Sequence, residues 1–289
     1  MTSRYRRGAA LLAAVATLVG TLFVTGTASA AAAPAADRPS QSAYYLSLGD
    51  SIPFGYRPDL VSAGDFNPAD YVGYPEDYAR MRPHLTLVNY GCPGETTTTF
   101  IAGGCPWLLA GGPLHDSFGG ASSQLTAALS FLAAHPGQVS LISLDIGSND
   151  LLAVLAACGT NQTCIAARVG SPTQAGTLLG NYAQILAALR QAAPNAQLVV
   201  FNFYNPEAIA VPGSDALLAP INAAIRQLAG AFDASVADAF RVINHRAGSP
   251  AEDTFVCHRT WMCTAYAAIH PNQLGYHQLA IALVHATRR

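Results

Sequence analysis

Tyr44-Tyr45-Leu46-Ser47-Leu48-Gly49-Asp50-Ser51 is an apolar run that stops abruptly at a glycine, an acid and a serine. That is the pattern of a buried strand running into a tight turn. Three more runs repeat it. Residues 85–90 end at Gly91-Cys92-Pro93-Gly94, residues 139–146 at Gly147-Ser148-Asn149-Asp150, and residues 198–203 at Tyr204-Asn205-Pro206. A weaker fifth run covers 235–240. The runs are rich in Val, Ile and Leu rather than strictly alternating, as strands buried on both faces are.

Helical patterns lie between these runs. Residues 122–134 place Leu125, Ala128, Leu129 and Leu132 on one stripe. Residues 174–192 do the same with Leu178, Tyr182, Ile185, Leu186 and Leu189, and stop before Pro194. Residues 215–232 and 271–287 are two further helical stretches, and the Gly/Pro-rich residues 101–120 read as a long loop held by a disulfide. Alternating strand and helix predict a mostly parallel sheet with helices on both faces. In such folds a site forms beyond the carboxyl ends of the strands. The polar turns at 49–51, 91–94 and 147–150 all fall there.

The 289 residues carry 15 basic groups, all Arg, against 17 acids, for a formal charge of −2. With 51% hydrophobic and 11% charged residues, the chain is no disordered polyelectrolyte and lacks the clustered positive charge of a nucleic-acid binder. Its length suits one large α/β domain over 44–289. Arg4, Arg6 and Arg7 precede an apolar run from Ala9 to Val24 and the small-residue site Ala28-Ser29-Ala30. Residues 1–30 therefore read as a secretory signal peptide rather than a membrane anchor, and Arg6-Arg7 leaves a twin-arginine route open. Residues 31–43 are expected to be a disordered lead-in. The protein is expected to be extracellular and monomeric, with no membrane span and no nucleic-acid partner.

Cys92, Cys105, Cys158, Cys164, Cys257 and Cys263 make an even count in a chain read as exported, which suggests disulfides. Six cysteines allow 15 connectivities. Pairing neighbours is the natural choice: Cys92–Cys105, Cys158–Cys164 and Cys257–Cys263. Neither short pair has Cys-x-x-Cys spacing and no His-Glu-x-x-His occurs, so a zinc site is not expected.

Ser51 at the end of the first strand is presented at the rim of the sheet, although Gly-Asp-Ser is also ordinary turn and N-cap chemistry. A serine nucleophile needs a base. Among eight histidines, His270 opens His-Pro-Asn-Gln-Leu-Gly, where Pro271 favours an extended backbone before it and suits the first position of a following helix. A helix N-terminus beside it would favour the neutral imidazole a base requires. His258 and His277 are further candidates. Surface roles suffice for His84, His115, His135 and His285. Acyl transfer also needs oxyanion donors. Gly94 offers an unobstructed N–H and Asn149 a side-chain amide, unless Asn149 merely caps a helix from Asp150.

The order Gly49-Asp50-Ser51, Asn89-Tyr90-Gly91-Cys92-Pro93-Gly94, Gly147-Ser148-Asn149-Asp150 and His270-Pro271-Asn272 resembles the SGNH/GDSL hydrolase superfamily. It is most similar to secreted actinobacterial esterases and lipases with three disulfides. The resemblance implies a three-layer α/β/α sandwich, flavodoxin-like, on a five-stranded sheet. It implies Ser51 as nucleophile, His270 as base, and Ser51 N–H, Gly94 N–H and Asn149 as the oxyanion hole, with no metal or cofactor. One departure stands out. The family usually has an Asp two or three residues before the histidine, and here those positions are Ala268 and Ala267. Some relatives use a backbone carbonyl instead, which would be that of Ala267. Otherwise the nearest acids are Glu252 and Asp253.

These readings lead to a secreted serine ester hydrolase, an esterase or lipase acting on a small-molecule or lipid ester. Trp107, Leu108, Leu109 and Leu114 in the 106–118 loop are the expected acyl wall. Two alternatives are a carbohydrate O-deacetylase using the same site and a secreted binding protein that has lost catalysis.

Overall fold

A computed structural model describes residues 43–211 and 213–288. The signal-peptide reading of 1–30, and the lead-in as far as residue 42, lie outside the described residues. Ala43, assigned above to the lead-in, is already the first residue of a strand. Its neighbours explain this: the Tyr44 N–H donates to the Gln138 carbonyl, so pairing begins there.

Five strands form the central sheet: β1 (Ala43–Gly49), β2 (Leu85–Asn89), β3 (Val139–Asp145), β4 (Gln197–Phe201) and β5 (Ala234–Ala237). All pairs are parallel and the order is β2-β1-β3-β4-β5. This is the doubly wound order whose winding direction reverses between β1 and β3, and a crevice opens at such a reversal.

Successive strand residues point to opposite faces, so each buried strand feeds two cores. Leu46, Leu48, Ile142, Leu144, Leu198 and Val200 pack on one side against the helices Gln124–Ala134, Leu178–Ala192 and Asp215–Ala231. Tyr45, Leu141, Val199 and Phe201 pack on the other against Tyr74–Met81, Ala239–Ile243 and Gln273–Ala286. The result is the α/β/α sandwich.

Caps set the helix ends. Ser123 accepts from the Thr126 N–H and Thr177 from the Gly180 N–H, so these helices start at 124 and 178, later than the apolar stripes suggested. Pro271 does not open the last helix as expected. It closes a short strand, β7 (Ala268–Pro271), paired antiparallel with β6 (Thr260–Trp261). Asn272 takes the N-cap instead, accepting from the Gly275 N–H, and the helix begins at Gln273. The 101–120 stretch is less irregular than expected, since it contains the end of the Thr97–Ala102 helix and a one-turn helix Pro106–Leu109. Helices Pro58–Ala63, Gln162–Val169 and Glu252–Arg259 had no clear periodic signal. Each is eight residues or fewer, too short to display one.

The cysteines pair as neighbours, Cys92–Cys105, Cys158–Cys164 and Cys257–Cys263, and none is free. Among the described residues no helix is long and apolar enough to cross a membrane.

Candidate active site

β1 delivers Ser51. Gly49 at its end has φ +137°, and a Cβ there would collide with the Asp145 carbonyl, so only glycine lets β1 turn beside β3. Asp50 then caps a one-turn helix, Ser51–Phe54, accepting from the Ile52 N–H at 3.0 Å. Ser51 stays nearly buried, with its Oγ 3.0 Å from His270 Nε2. The structure thus brings together two residues 219 positions apart.

His270 sits in β7. Tyr56 covers its ring, with centroids 4.4 Å apart and planes 35° from parallel. The Tyr204 hydroxyl donates to the adjacent Ile269 carbonyl at 2.9 Å, and Asn272 Nδ2 donates to the His258 and Thr260 carbonyls. Burial disfavours the charged imidazolium and pushes the pKa of His270 down to about 4. Its Nδ1 is buried without a hydrogen-bond partner. The expected bond to the Ala267 carbonyl is therefore not formed. Ala267 sits in the left-handed region, φ +44°, at the turn entering β7. Glu252 is turned elsewhere, accepting from Asn244 Nδ2 at 2.8 Å and from the Gly248 N–H at 2.7 Å.

β2 delivers the Gly94 loop. Asn89 ties that loop to the serine turn: its Nδ2 donates to the Pro53 carbonyl and to Glu76, while its Oδ1 accepts from the Gly91 N–H. Gly94 has φ +83°, and neither its N–H nor that of Ser51 donates to a neighbouring backbone carbonyl. β3 delivers Asn149, the second residue of the helix Ser148–Cys158. Gly147 occupies the N-cap position, so Asn149 is not the cap. Its Nδ2 donates to the Glu95 carbonyl at 2.8 Å, beside Gly94, which leaves its second N–H for a ligand.

Several participants gave no sequence signal. Gln124 grips the Gly49 peptide from both sides, with Oε1 accepting from its N–H at 2.6 Å and Nε2 donating to its carbonyl at 2.9 Å. The same Nε2 lies 3.1 Å from Glu95 Oε2. One amide therefore joins the serine turn to the Gly94 loop. Burial pushes the carboxyls of Glu95 and Asp145 up to about 7, and burial together with the Asp145 charge raises Asp50 well above its ordinary value.

A cavity of about 270 Å³ opens at Ser51 on the β3–β4 side. Its surface is mostly apolar, with Leu151, Leu155, Ile165, Phe203, Leu218 and Ile221 in the lining, but Asn149, Thr160, Tyr204, Asn205, Glu207 and Ser214 also reach it. None of Trp107, Leu108, Leu109 and Leu114 lines it, so the expected acyl wall is corrected. Trp107 instead packs on Phe54, Tyr56 and Phe66 and donates to the Pro113 carbonyl at 2.7 Å, which folds its loop onto the other side of the serine turn.

The same architecture recurs in solved structures. A lipase from a goat rumen metagenome aligns with a TM-score of 0.54 at 20% identity, covering 85% of this chain and 97% of that one. An extracellular lipase from Streptomyces rimosus gives 0.51 at 22%, covering 85% and 100%. An acetylxylan esterase from Geobacillus stearothermophilus gives 0.52 at 16%, covering 86% and 95%. At these identities the likeness is one of fold. No curated protein matches the sequence. Residues 47–278, which hold every residue of the site just described, match the model of the GDSL-like lipase/acylhydrolase family, and the chain belongs to that family.

Proposed function

We propose that this ester hydrolase is exported and cleaves carboxylic esters through a Ser51–His270 dyad. The observation that carries the reading is the 3.0 Å approach of His270 Nε2 to Ser51 Oγ at the mouth of a cavity. Neutral His270 accepts the Ser51 proton as Oγ attacks the acyl carbonyl. The N–H groups of Ser51 and Gly94 and the free N–H of Asn149 receive the oxyanion. Imidazolium then protonates the leaving alkoxide, and water repeats the sequence to free the acid.

Export rests on the signal-peptide pattern of 1–30 and on three local disulfides, which persist in oxidising compartments. Amino-terminal sequencing of the secreted protein should begin at Ala31. A fluorophosphonate should label the wild type at Ser51 and leave Ser51→Ala untouched. Labelling elsewhere, or ester turnover surviving in Ser51→Ala, refutes the dyad. An O-deacetylase reading is favoured less, because most of the cavity surface is apolar and would face water if only an acetyl group entered. Family membership counts against a purely binding role.

A further inference from the structure

With Nδ1 unpaired, the aim of the His270 ring depends on the backbone that carries it and on the ring that covers it. That backbone is held only in part by its own sheet. In the β6–β7 pair Thr260 lies opposite Pro271 and Trp261 opposite Ala268, which leaves Ile269 and His270 without partners in the register. A bulge of this kind interrupts the ladder and re-aims the side chains on it. Support comes instead from the turn after β4. The Tyr204 hydroxyl donates to the Ile269 carbonyl at 2.9 Å, at the peptide that leads into the base.

Tyr204 stands on a stiff mount. Asn222 accepts from the Phe203 N–H at 2.9 Å and donates to the Phe203 carbonyl at 2.8 Å. Asn244 accepts from the Asn205 N–H at 2.9 Å and donates to the Asn205 carbonyl at 2.7 Å. Both asparagines are buried, so two interior amides grip the residues on either side of one tyrosine. Tyr56, which covers the base, is held in a related way. Its N–H donates to the Ser51 carbonyl at 3.0 Å, and its carbonyl accepts from the Tyr276 hydroxyl at 2.8 Å. Tyr276 is a buried residue of the last helix, Gln273–Ala286.

We infer that Tyr204 and Tyr276 are positioning residues for the base: through the Ile269 and Tyr56 carbonyls, their hydroxyls aim the His270 ring at Ser51 in place of a carboxylate on Nδ1. The inference rests on the dyad reading and adds what orients its base. A carboxylate on Nδ1 would orient the ring and also raise its basicity. Hydroxyls bonded to backbone carbonyls do only the first, and leave the buried imidazole neutral. Tyr204 also lines the cavity, so its hydroxyl has to be separated from a substrate contact by experiment.

The test is Tyr204→Phe and Tyr276→Phe, which each remove one oxygen and keep the ring. With p-nitrophenyl butyrate as the probe, each should lower kcat by about ten- to a hundredfold and leave KM within about twofold, since a misdirected base is felt in the transition state and not in substrate binding. The rate at which a fluorophosphonate labels Ser51 should fall by a similar factor. Tyr45→Phe is the comparison. It loses a buried hydroxyl bond, 2.8 Å to Ser143, that leads nowhere near His270, so it should lower the denaturation midpoint and keep kcat. A raised KM at unchanged kcat in Tyr204→Phe makes that hydroxyl a substrate contact and overturns its role for the base. Phenylalanine variants that lose stability alone, as Tyr45→Phe does, overturn the proposal for both residues. A folded wild type that takes no label at Ser51 refutes instead the dyad on which the proposal rests.

Discussion

Ser51 and His270 meet across 3.0 Å, yet opposite kinds of force hold the two sides of that contact. On the serine side the supports are hydrogen bonds: Asp50 to Ile52, Gln124 to both ends of the Gly49 peptide, Asn89 to Pro53, Asn149 to Glu95. On the histidine side the ring itself makes one hydrogen bond, to Ser51, and is otherwise held by burial and by Tyr56. The nucleophile and its oxyanion donors are fixed by directional bonds that specify positions. The base is fixed by exclusion of water, which specifies its charge. A carboxylate partner would have raised the basicity of the imidazole. Burial without one lowers it.

The sharpest way to break this comparison is to remove either partner. Ser51→Ala and His270→Ala should each lower ester turnover on the order of 10⁶-fold while the protein still folds, measured by steady-state kinetics beside circular dichroism. Asn149→Ala comes next. Loss of one oxyanion donor should lower kcat by about 10²- to 10³-fold with little change in KM.

Gln124→Leu tests the serine side without touching substrate. It leaves the Gly49 N–H and Glu95 Oε2 without this partner in the interior, at about 1–3 kcal/mol for each buried group left unpaired, while the Gly49 carbonyl keeps the Cys92 N–H. The denaturation midpoint should fall clearly, and kcat should drop by tens of fold as Gly94 and Ser51 lose their common tether.

The histidine side is tested by pH. With a pKa of about 4, His270 is neutral and competent as a base at pH 5, where an ordinary imidazole near 6.5 would be almost wholly charged. Activity should therefore persist to about pH 5. Tyr56→Ala, by admitting water to the ring, should raise that limit and reduce activity at pH 5 by about tenfold relative to pH 8. The stability of the wild type carries the same signature. The unfolded chain takes up the proton first, so the contribution of His270 is whole above about pH 6.5 and declines as pH falls towards 4. The raised carboxyls Glu95 and Asp145 work in the other direction, since the folded state holds their protons up to about pH 7.

The smallest effect is expected at the acids nearest in sequence to His270. Asp253→Asn should change turnover by less than about tenfold, whereas a displaced triad acid would cost roughly 10⁴. Glu252→Gln should act on stability, since its carboxylate serves Asn244 and Gly248. A thousandfold loss of turnover in either variant would mean that the histidine side has a carboxylate after all.

The sequence carried the serine side more fully than its supports. Strands and turns that end at 49–51, 91–94 and 147–150 are local patterns, and local patterns are written in consecutive residues. The pairing of Ser51 with His270 was legible through motif order. Gln124 was not: it is the first residue of an ordinary helix, 75 positions from the peptide it grips. The acyl wall was misplaced for a related reason. Trp107 and its neighbours are apolar and close in sequence to Gly94, but burial depends on which side of β1 a loop folds. The cavity draws instead on the segments that follow β3 and β4 and on helices as far apart in sequence as Ser148–Cys158 and Asp215–Ala231, a convergence no single stretch displays. Ala267 was chosen by spacing from His270, and spacing says nothing of the turn that redirects its carbonyl.

The three disulfides span only 13, 6 and 6 positions, and none encloses another. On the export proposed above, a chain threaded unfolded through a channel from its amino terminus presents each cysteine with its own partner before the next pair emerges. Of the 15 pairings open to six thiols, the native one is then the order of arrival, and oxidation during transit requires little reshuffling afterwards. Refolding from the fully reduced chain lacks that timetable. All six thiols then compete at once, and yield should depend on a redox buffer that translocation makes dispensable.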